Sequence, residues 1–211
     1  VNKTSAVPVV GIVGGVGAGK SSVVRQLNTL RLFIIDADQI GHDVLRRADI
    51  RDDLVAAFGA AILNSTGAID RQKVARLVFG TSAEHGHRRQ TLNRIVHPRI
   101  HEEISSQLEQ APEDTDVIIL DAALLLEAGW ASSCDAVIFI DTPVELRRQR
   151  VLENRGWSAD EHARREATQM ALSQKRAASR FIVDNSGTPE IAASQMEQAL
   201  RRLIQEKTRR R

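Results

Sequence analysis

Apolar residues in this chain follow two rhythms. Short, mostly β-branched runs at Val7 to Val13, Leu32 to Ile35, Asp116 to Leu120, Ala136 to Ile140 and Phe181 to Val183 read as buried strands, and the longer amphipathic stretches between them read as helices. This alternation predicts an α/β fold, a parallel five-stranded sheet flanked by helices on both faces. Between about residue 41 and residue 112 the strand rhythm stops. Val44, Leu45, Leu54, Val55 and Phe58 precede a Gly59 stop and the turn Asn64-Ser65-Thr66-Gly67, after which Val74, Leu77, Val78 and Phe79 share one helical stripe. That segment is expected to be a helical insertion. A second helical region runs from Pro143 to Arg180 with a break at Gly156. Pro112-Glu113-Asp114-Thr115 reads as a surface turn, and Arg209-Arg210-Arg211 as a frayed tail.

One loop changes this picture from fold to chemistry. Gly14-Gly15-Val16-Gly17-Ala18-Gly19-Lys20-Ser21 fills the pattern G-x-x-x-x-G-K-[ST], between the first strand and a stretch where Val23, Val24, Leu27 and Leu30 recur at helical spacing. Its glycines let the backbone curl until successive N–H groups face one anion, and the following helix adds its positive end. The expected guest is a nucleoside triphosphate, bound by Gly14, Gly15, Val16, Gly17, Ala18, Gly19, Lys20, Ser21 and Ser22. Lys20 can reach the β- and γ-phosphates as a point charge, and the Ser21 hydroxyl is placed to ligate the accompanying Mg²⁺. A merely flexible glycine turn is the alternative, and the correct flanks on both sides weigh against it. Asp38-Gln39-Ile40-Gly41 and Asp184-Asn185-Ser186-Gly187 each read D-x-x-G, but no N-K-x-D follows to select guanine, which argues against a switch GTPase.

Three candidate strands end at a carboxylate, Asp36, Asp121 and Asp141, and in an open α/β sheet the ligand lies beyond the carboxyl ends of the strands. Of the Asp36-Ala37-Asp38 pair, one acid is expected to enter the cleft and accept the proton of an attacking hydroxyl, which favours transfer to an alcohol over hydrolysis. The competing reading is that both acids cap the following helix. From Pro143 to Arg180, eight arginines and one lysine stand against five acids, a net charge of +4. Placed after a strand that should border the phosphates, these arginines suggest a lid that stabilises charge on a transferring phosphoryl group.

Composition narrows the class further. A chain of 211 residues that is 42% hydrophobic supports one sizeable core with an inserted lobe, and a net charge of +2 lacks the excess of a general nucleic-acid binder. The single cysteine, Cys134, excludes an internal disulfide framework and suits a reducing cytoplasm. The apolar stretch near the start is cut by Pro8, Gly11 and the glycine loop, too short for a bilayer and without a cleavage-type signal, so neither export nor membrane insertion is expected. His97 and His101 are four apart, but Pro98 reads as a helix start and no third ligand follows in register, so a zinc site is not expected. Trp130 and Trp157 read as packing at a lobe boundary in preference to adenine platforms.

Taken together, these motifs resemble the dephospho-coenzyme A kinases, P-loop kinases that transfer the γ-phosphate of ATP to the ribose 3′-hydroxyl of dephospho-CoA, the last step of coenzyme A synthesis. The resemblance runs over nearly the whole chain: the glycine loop, Asp36-Ala37-Asp38, Phe58-Gly59, Gly67-Ala68-Ile69-Asp70-Arg71, His97-Pro98, Asp121 through Glu127, Arg150 and Arg155, Gln169, and Asp184-Asn185-Ser186-Gly187. It implies ATP as co-substrate with Mg²⁺, a P-loop core at residues 1–40, 114–146 and 179–211, a helical dephospho-CoA-binding region at 41–113, and a lid at 147–178. It also implies a cytoplasmic enzyme with a small-molecule substrate and neither nucleic acid nor membrane as partner.

Carried over position by position, the resemblance makes Asp38 the general base, Lys20 the phosphate clamp, and Arg150 a bridge between phosphate and substrate. It places Arg155 against the adenine or phosphates of ATP, Leu124 on the substrate side, and Asp121 near Mg²⁺ through water; His97 either satisfies hydrogen bonds in the helical insertion or approaches the substrate, and Glu127 reads equally well as a structural partner. The chain departs from the family pattern at Ala123 and Leu126, at His42 where arginine is usual, and at Ser179-Arg180. A neutral histidine at position 42 cannot supply arginine's fixed charge to the acceptor. Two rivals remain open: another P-loop kinase acting on a nucleoside monophosphate or small alcohol, and a non-catalytic ATP-binding regulator that grips nucleic acid with its arginine-rich region.

Overall fold

The computed structural model describes residues 7–80 and 82–209, so the last two arginines of the expected tail lie outside the described residues. The elements run β1 (Val9–Gly14), α1 (Lys20–Arg25), β2 (Leu32–Asp36), α2 (Ala37–Val44), α3 (Ala48–Phe58), α4 (Arg71–Val78), α5 (Ala83–Glu109), β3 (Val117–Asp121), β4 (Ala136–Asp141), α6 (Val144–Arg155), α7 (Ala159–Ala167), α8 (Leu172–Ala177), β5 (Phe181–Asp184) and α9 (Pro189–Arg209). The chain divides into two compact units, one running up to Asp36 and resuming at Gln110, the other spanning Ala37–Glu109.

In the first unit the five strands form one sheet in the order β2-β3-β1-β4-β5, with every pairing parallel. All six residues of β1 and all but the last residues of β3 and β4 are buried, which is why these strands read as continuous apolar runs and not as alternating ones. Val10, Ile12, Ile119 and Ile138 pack in one core cluster with Val23 of α1, with Leu27, and with Met196, Leu200 and Leu203 of α9. The parallel register sets Asp36 beside Asp121 and Asp141 beside Asp184, aligning the strand-end carboxylates along one edge of the sheet. Helices α6, α7 and α8, which contain most of the arginine-rich region, belong to this same unit.

The second unit is helical. Ile40, Val44, Ile50, Leu54, Val74, Val78, Val96, Ile100 and Ile104 are buried in it. Gly59 ends α3 with φ +80, a conformation that β-carbons oppose, and Asp70 caps α4 by accepting from the N–H groups of Gln72 and Lys73. The intervening turn is closed by a Leu63–Ile69 bridge and by Asn64 Oδ1, which accepts from the N–H groups of Thr66 and Ala68.

Three sequence expectations need correction. Pro98 does not start a helix; it lies inside the 27-residue α5. Proline removes one helical hydrogen bond, but the buried stripe Val96, Ile100 and Ile104 continues through it and holds both halves in line. Phe79 is 54% exposed as the residue that ends α4, so the stripe stops at Val78. Arg209 is the last residue of α9 and not part of a frayed tail, because α9 lays six buried residues from Ala192 to Leu203 on the core and its final turn follows them. Among the described residues no helix is long and apolar enough to cross a membrane.

Candidate active site

The glycine loop joins β1 to α1, and its shape depends on two residues with left-handed backbone, Gly17 at φ +79 and Gly19 at φ +83. For the loop N–H groups to converge on an anion, its carbonyls must turn outward, and each then needs a donor. The structure supplies them. The Ala18 carbonyl accepts from Thr142 Oγ1 at 2.9 Å and from Asn185 Nδ2 at 2.8 Å, with Arg150 Nη1 further off at 3.4 Å. The Val16 carbonyl accepts from His162 Nε2 at 3.0 Å and Arg147 Nη1 at 3.3 Å. Gly15 O accepts the Ala18 N–H at 3.0 Å. These donors come from the residue before α6, from α6 and α7, and from the segment after β5.

Beside the loop lies a cavity of about 450 Å³, within the range of small-molecule sites. Gly17, Ala18, Gly19, Lys20, Ser21 and Ser22 line it together with Arg25, Arg150, Asn154, Arg155, Asn185 and Pro189. Four of its lining side chains are cationic and none is a carboxylate. A cavity so lined favours a polyanion such as a phosphate chain.

The structure thus gathers Lys20, Ser21, Ser22, Arg150 and Arg155 around one space. Arg155 also stacks its guanidinium 4.7 Å from the centre of the Trp157 ring, whose centre lies 3.9 Å from the Arg165 guanidinium, so this tryptophan packs against two cations. Trp130 is buried at 6% exposure and packs in the core. Asp121, at the end of β3, accepts from Ser21 Oγ at 3.3 Å. A hydroxyl and a carboxylate oxygen side by side form the hard donor set that Mg²⁺ prefers. The third strand-end acid, Asp141, is taken by an ion pair with Arg176.

Leu124 is 40% exposed in the turn that follows β3. That turn is fixed from within: Lys175, 1% exposed, donates to Gln169 Oε1 at 2.9 Å and to the Ala123 carbonyl at 3.3 Å, and pairs with Glu127 at 3.2 Å. Glu127 also accepts the Met170 N–H at 2.7 Å. Glu127 and Gln169 therefore serve a buried lysine that orders the loop.

Asp38 and His97 belong to the helical unit. Asp38 stands in the first turn of α2, since β2 ends at Asp36 and the helix starts at Ala37. Strand alternation accordingly does not decide which of the two acids faces a ligand; the helix start does. His97 is half-buried in α5, and that burial pushes its imidazole down and favours the neutral ring. His42 is half-buried in the last turn of α2. Cys134 is pushed up to about 12 by burial and by Asp135, which leaves it an inert thiol.

Thr142, Arg147, His162, Asn154 and Asn185 have places at this site that no local pattern announced, although Asn185 sits in the Asp184-Asn185-Ser186-Gly187 run. Residues 8–190 match the family model for dephospho-CoA kinase. A dephospho-CoA kinase of Thermobifida fusca is 37% identical over 182 residues, covering 86% of this chain and 88% of the relative. One from Rhodopirellula baltica is 34% identical over 202 residues, covering 95% and 93%. A crystal structure from Thermus thermophilus superposes with a TM-score of 0.79 at 27% identity over 92% of this chain and 96% of the other. A dephospho-CoA kinase from Campylobacter jejuni shares the fold, with a TM-score of 0.66 at 21% identity over 94% and 98% of the two chains. A phosphate-binding loop with outward carbonyls pinned, a cationic cavity before it, and matches that run through both units lead to one assignment: the chain belongs to the dephospho-CoA kinase family.

Proposed function

We propose that this member of the family transfers the γ-phosphate of ATP to the ribose 3′-hydroxyl of dephospho-CoA with Asp38 as general base and with Lys20, Arg150 and Arg155 managing the charge of the phosphates. The observation that carries this reading is the cavity beside the glycine loop, lined by Gly17 to Ser22 with four cationic side chains and no carboxylate. Phosphoryl transfer has little covalent chemistry for the protein to perform, so positioning and electrostatics account for most of the acceleration. The loop and Lys20 hold the β- and γ-phosphates. Asp38 accepts the proton of the 3′-hydroxyl as that oxygen bonds to the γ-phosphorus, and the bond to the β–γ bridging oxygen breaks to release ADP. Arg150 and Arg155 stabilise charge spread over the transferring group. Ser21 and, through water, Asp121 would hold Mg²⁺, which neutralises charge between the β- and γ-phosphates when bound.

We assign dephospho-CoA to the helical unit, with His97 and Leu124 on the acceptor side, and the lid to residues 147–178. A coupled ADP-release assay with dephospho-CoA, nucleoside monophosphates and small alcohols tests the acceptor. Turnover is expected with dephospho-CoA and at most traces with the others; preference for a different acceptor would refute the assignment. Asp38→Asn is expected to lower kcat by about 10²- to 10⁴-fold, the usual span of general-base catalysis, with ATP affinity within about twofold of the parent. Near-normal turnover in that variant would remove Asp38 from the role.

A further inference from the structure

Gly15 and Gly17 occupy positions that the G-x-x-x-x-G-K-[ST] pattern leaves free, and the structure gives each a cause behind the loop. A β-carbon at position 15 would stand 2.5 Å from Arg147 Nη1, and one at position 17 would stand 2.6 Å from the Arg147 carbonyl oxygen. Both glycines make room for one residue of α6. Arg147 is 3% exposed and its planar fork is used in several directions at once: Nε donates to the Thr142 carbonyl at 3.1 Å, and Nη1 donates to the Val16 carbonyl at 3.3 Å and pairs with Glu166. His162, 1% exposed, reaches the same Val16 carbonyl with Nε2 at 3.0 Å. A carbonyl can only accept, so the His162 hydrogen is on Nε2, and the neighbouring Arg147 Nη1, 3.5 Å from that nitrogen, is a close contact and not its donor. His162 and Glu166 are four residues apart on α7 and so share one helical face.

We propose that Arg147, His162 and Glu166 form a positioning device for ATP: they clamp the Val16 carbonyl outward, so that the N–H groups of the glycine loop stay turned toward phosphate, and they make α7 a strut of that loop. The proposal rests on the reading that the loop binds ATP. Glu166 offsets the charge of a guanidinium that would otherwise be buried unpaired, and the two donors together hold a carbonyl that would otherwise be free to rotate with its peptide plane. Docking of α7 and nucleotide binding are therefore linked, each favouring the other.

The test compares His162→Leu, which removes the donor, with His162→Gln, whose amide N–H can replace it, and with Glu166→Gln. Calorimetric titration with ATP and Mg²⁺, and KM for ATP and for dephospho-CoA, are measured on the full chain. His162→Leu is expected to weaken ATP binding by about 3- to 10-fold, the worth of one hydrogen bond, with KM for dephospho-CoA unchanged; His162→Gln is expected to stay within about twofold of the parent. A merely structural role would lower the melting temperature of His162→Leu and leave its ATP affinity intact, and that result overturns the proposal. Should His162→Leu fail to fold, Glu166→Gln decides: weaker ATP binding supports the clamp, and parental affinity overturns it. Failure of the parent chain itself to bind ATP would instead refute the nucleotide assignment on which the clamp depends.

Discussion

Gly17→Ala places the most direct load on the packing behind the phosphate loop. The residue sits at φ +79, where a β-carbon costs roughly 1–2 kcal/mol, and the added carbon would meet the Arg147 carbonyl oxygen at 2.6 Å and Val151 Cγ1 at 2.8 Å. Backbone oxygen in the first half of α6 cannot swing away as a side-chain tip can, so loop or helix must shift, at about 1–3 kcal/mol for overpacking of this kind. The total is about 2–5 kcal/mol, shared between stability and nucleotide binding. Gly129→Ala isolates the backbone component, because Gly129 has φ +77 but a β-carbon there meets nothing within 4 Å. Thermal melting and calorimetric titration with ATP and Mg²⁺ should show both variants melting lower than the parent, and only Gly17→Ala losing ATP affinity, by at least about tenfold for as little as 1.4 kcal/mol expressed in binding. A Gly17→Ala variant that melts with Gly129→Ala and binds ATP within twofold of the parent would refute the argument that α6 shapes the loop.

Two further outcomes follow from the same geometry. Lys20→Ala removes a cation from the cavity wall and is expected to weaken ATP binding and lower kcat together, since a cation that holds the phosphates in the ground state acts more strongly still on the charge that builds in the transition state; a change in KM alone, read in steady-state kinetics, would contradict this. Cys134, raised to about 12, should react with iodoacetamide at pH 8 about a thousandfold more slowly in the native chain than an ordinary thiol. Because its folded pKa lies above its unfolded one, the stability it contributes is complete below about pH 9 and is lost as pH rises toward 12. The difference in urea midpoint between parent and Cys134→Ala should therefore shrink from pH 8 to pH 10.5, and a constant difference would argue that the thiol titrates normally.

The parts of the fold visible in the sequence are those set by local chemistry. Strands β1, β3 and β4 are buried on both faces and so appear as continuous, mostly apolar runs rich in valine and isoleucine, and the glycine loop is a contiguous pattern of eight residues. Where tertiary packing outweighs local preference, the reading fails: α5 continues through Pro98 because its buried stripe does. Asp38 was legible as a carboxylate after a strand, but its place in a helical turn depended on β2 ending at Asp36. The clamp on Val16 was invisible because Arg147 lies 131 residues away along the chain, and arginines in a +4 segment look alike until one of them is found buried. The same holds for Asn185, whose amide reaches the Ala18 carbonyl across 167 residues.

The most direct measurement of the central claim is product analysis after incubating the chain with ATP, Mg²⁺ and dephospho-CoA. Phosphorus NMR and mass spectrometry should show one ADP formed for each dephospho-CoA consumed and a new phosphate monoester on the ribose 3′-oxygen. ATP turnover without that monoester, or no turnover while ATP binds, would contradict the account.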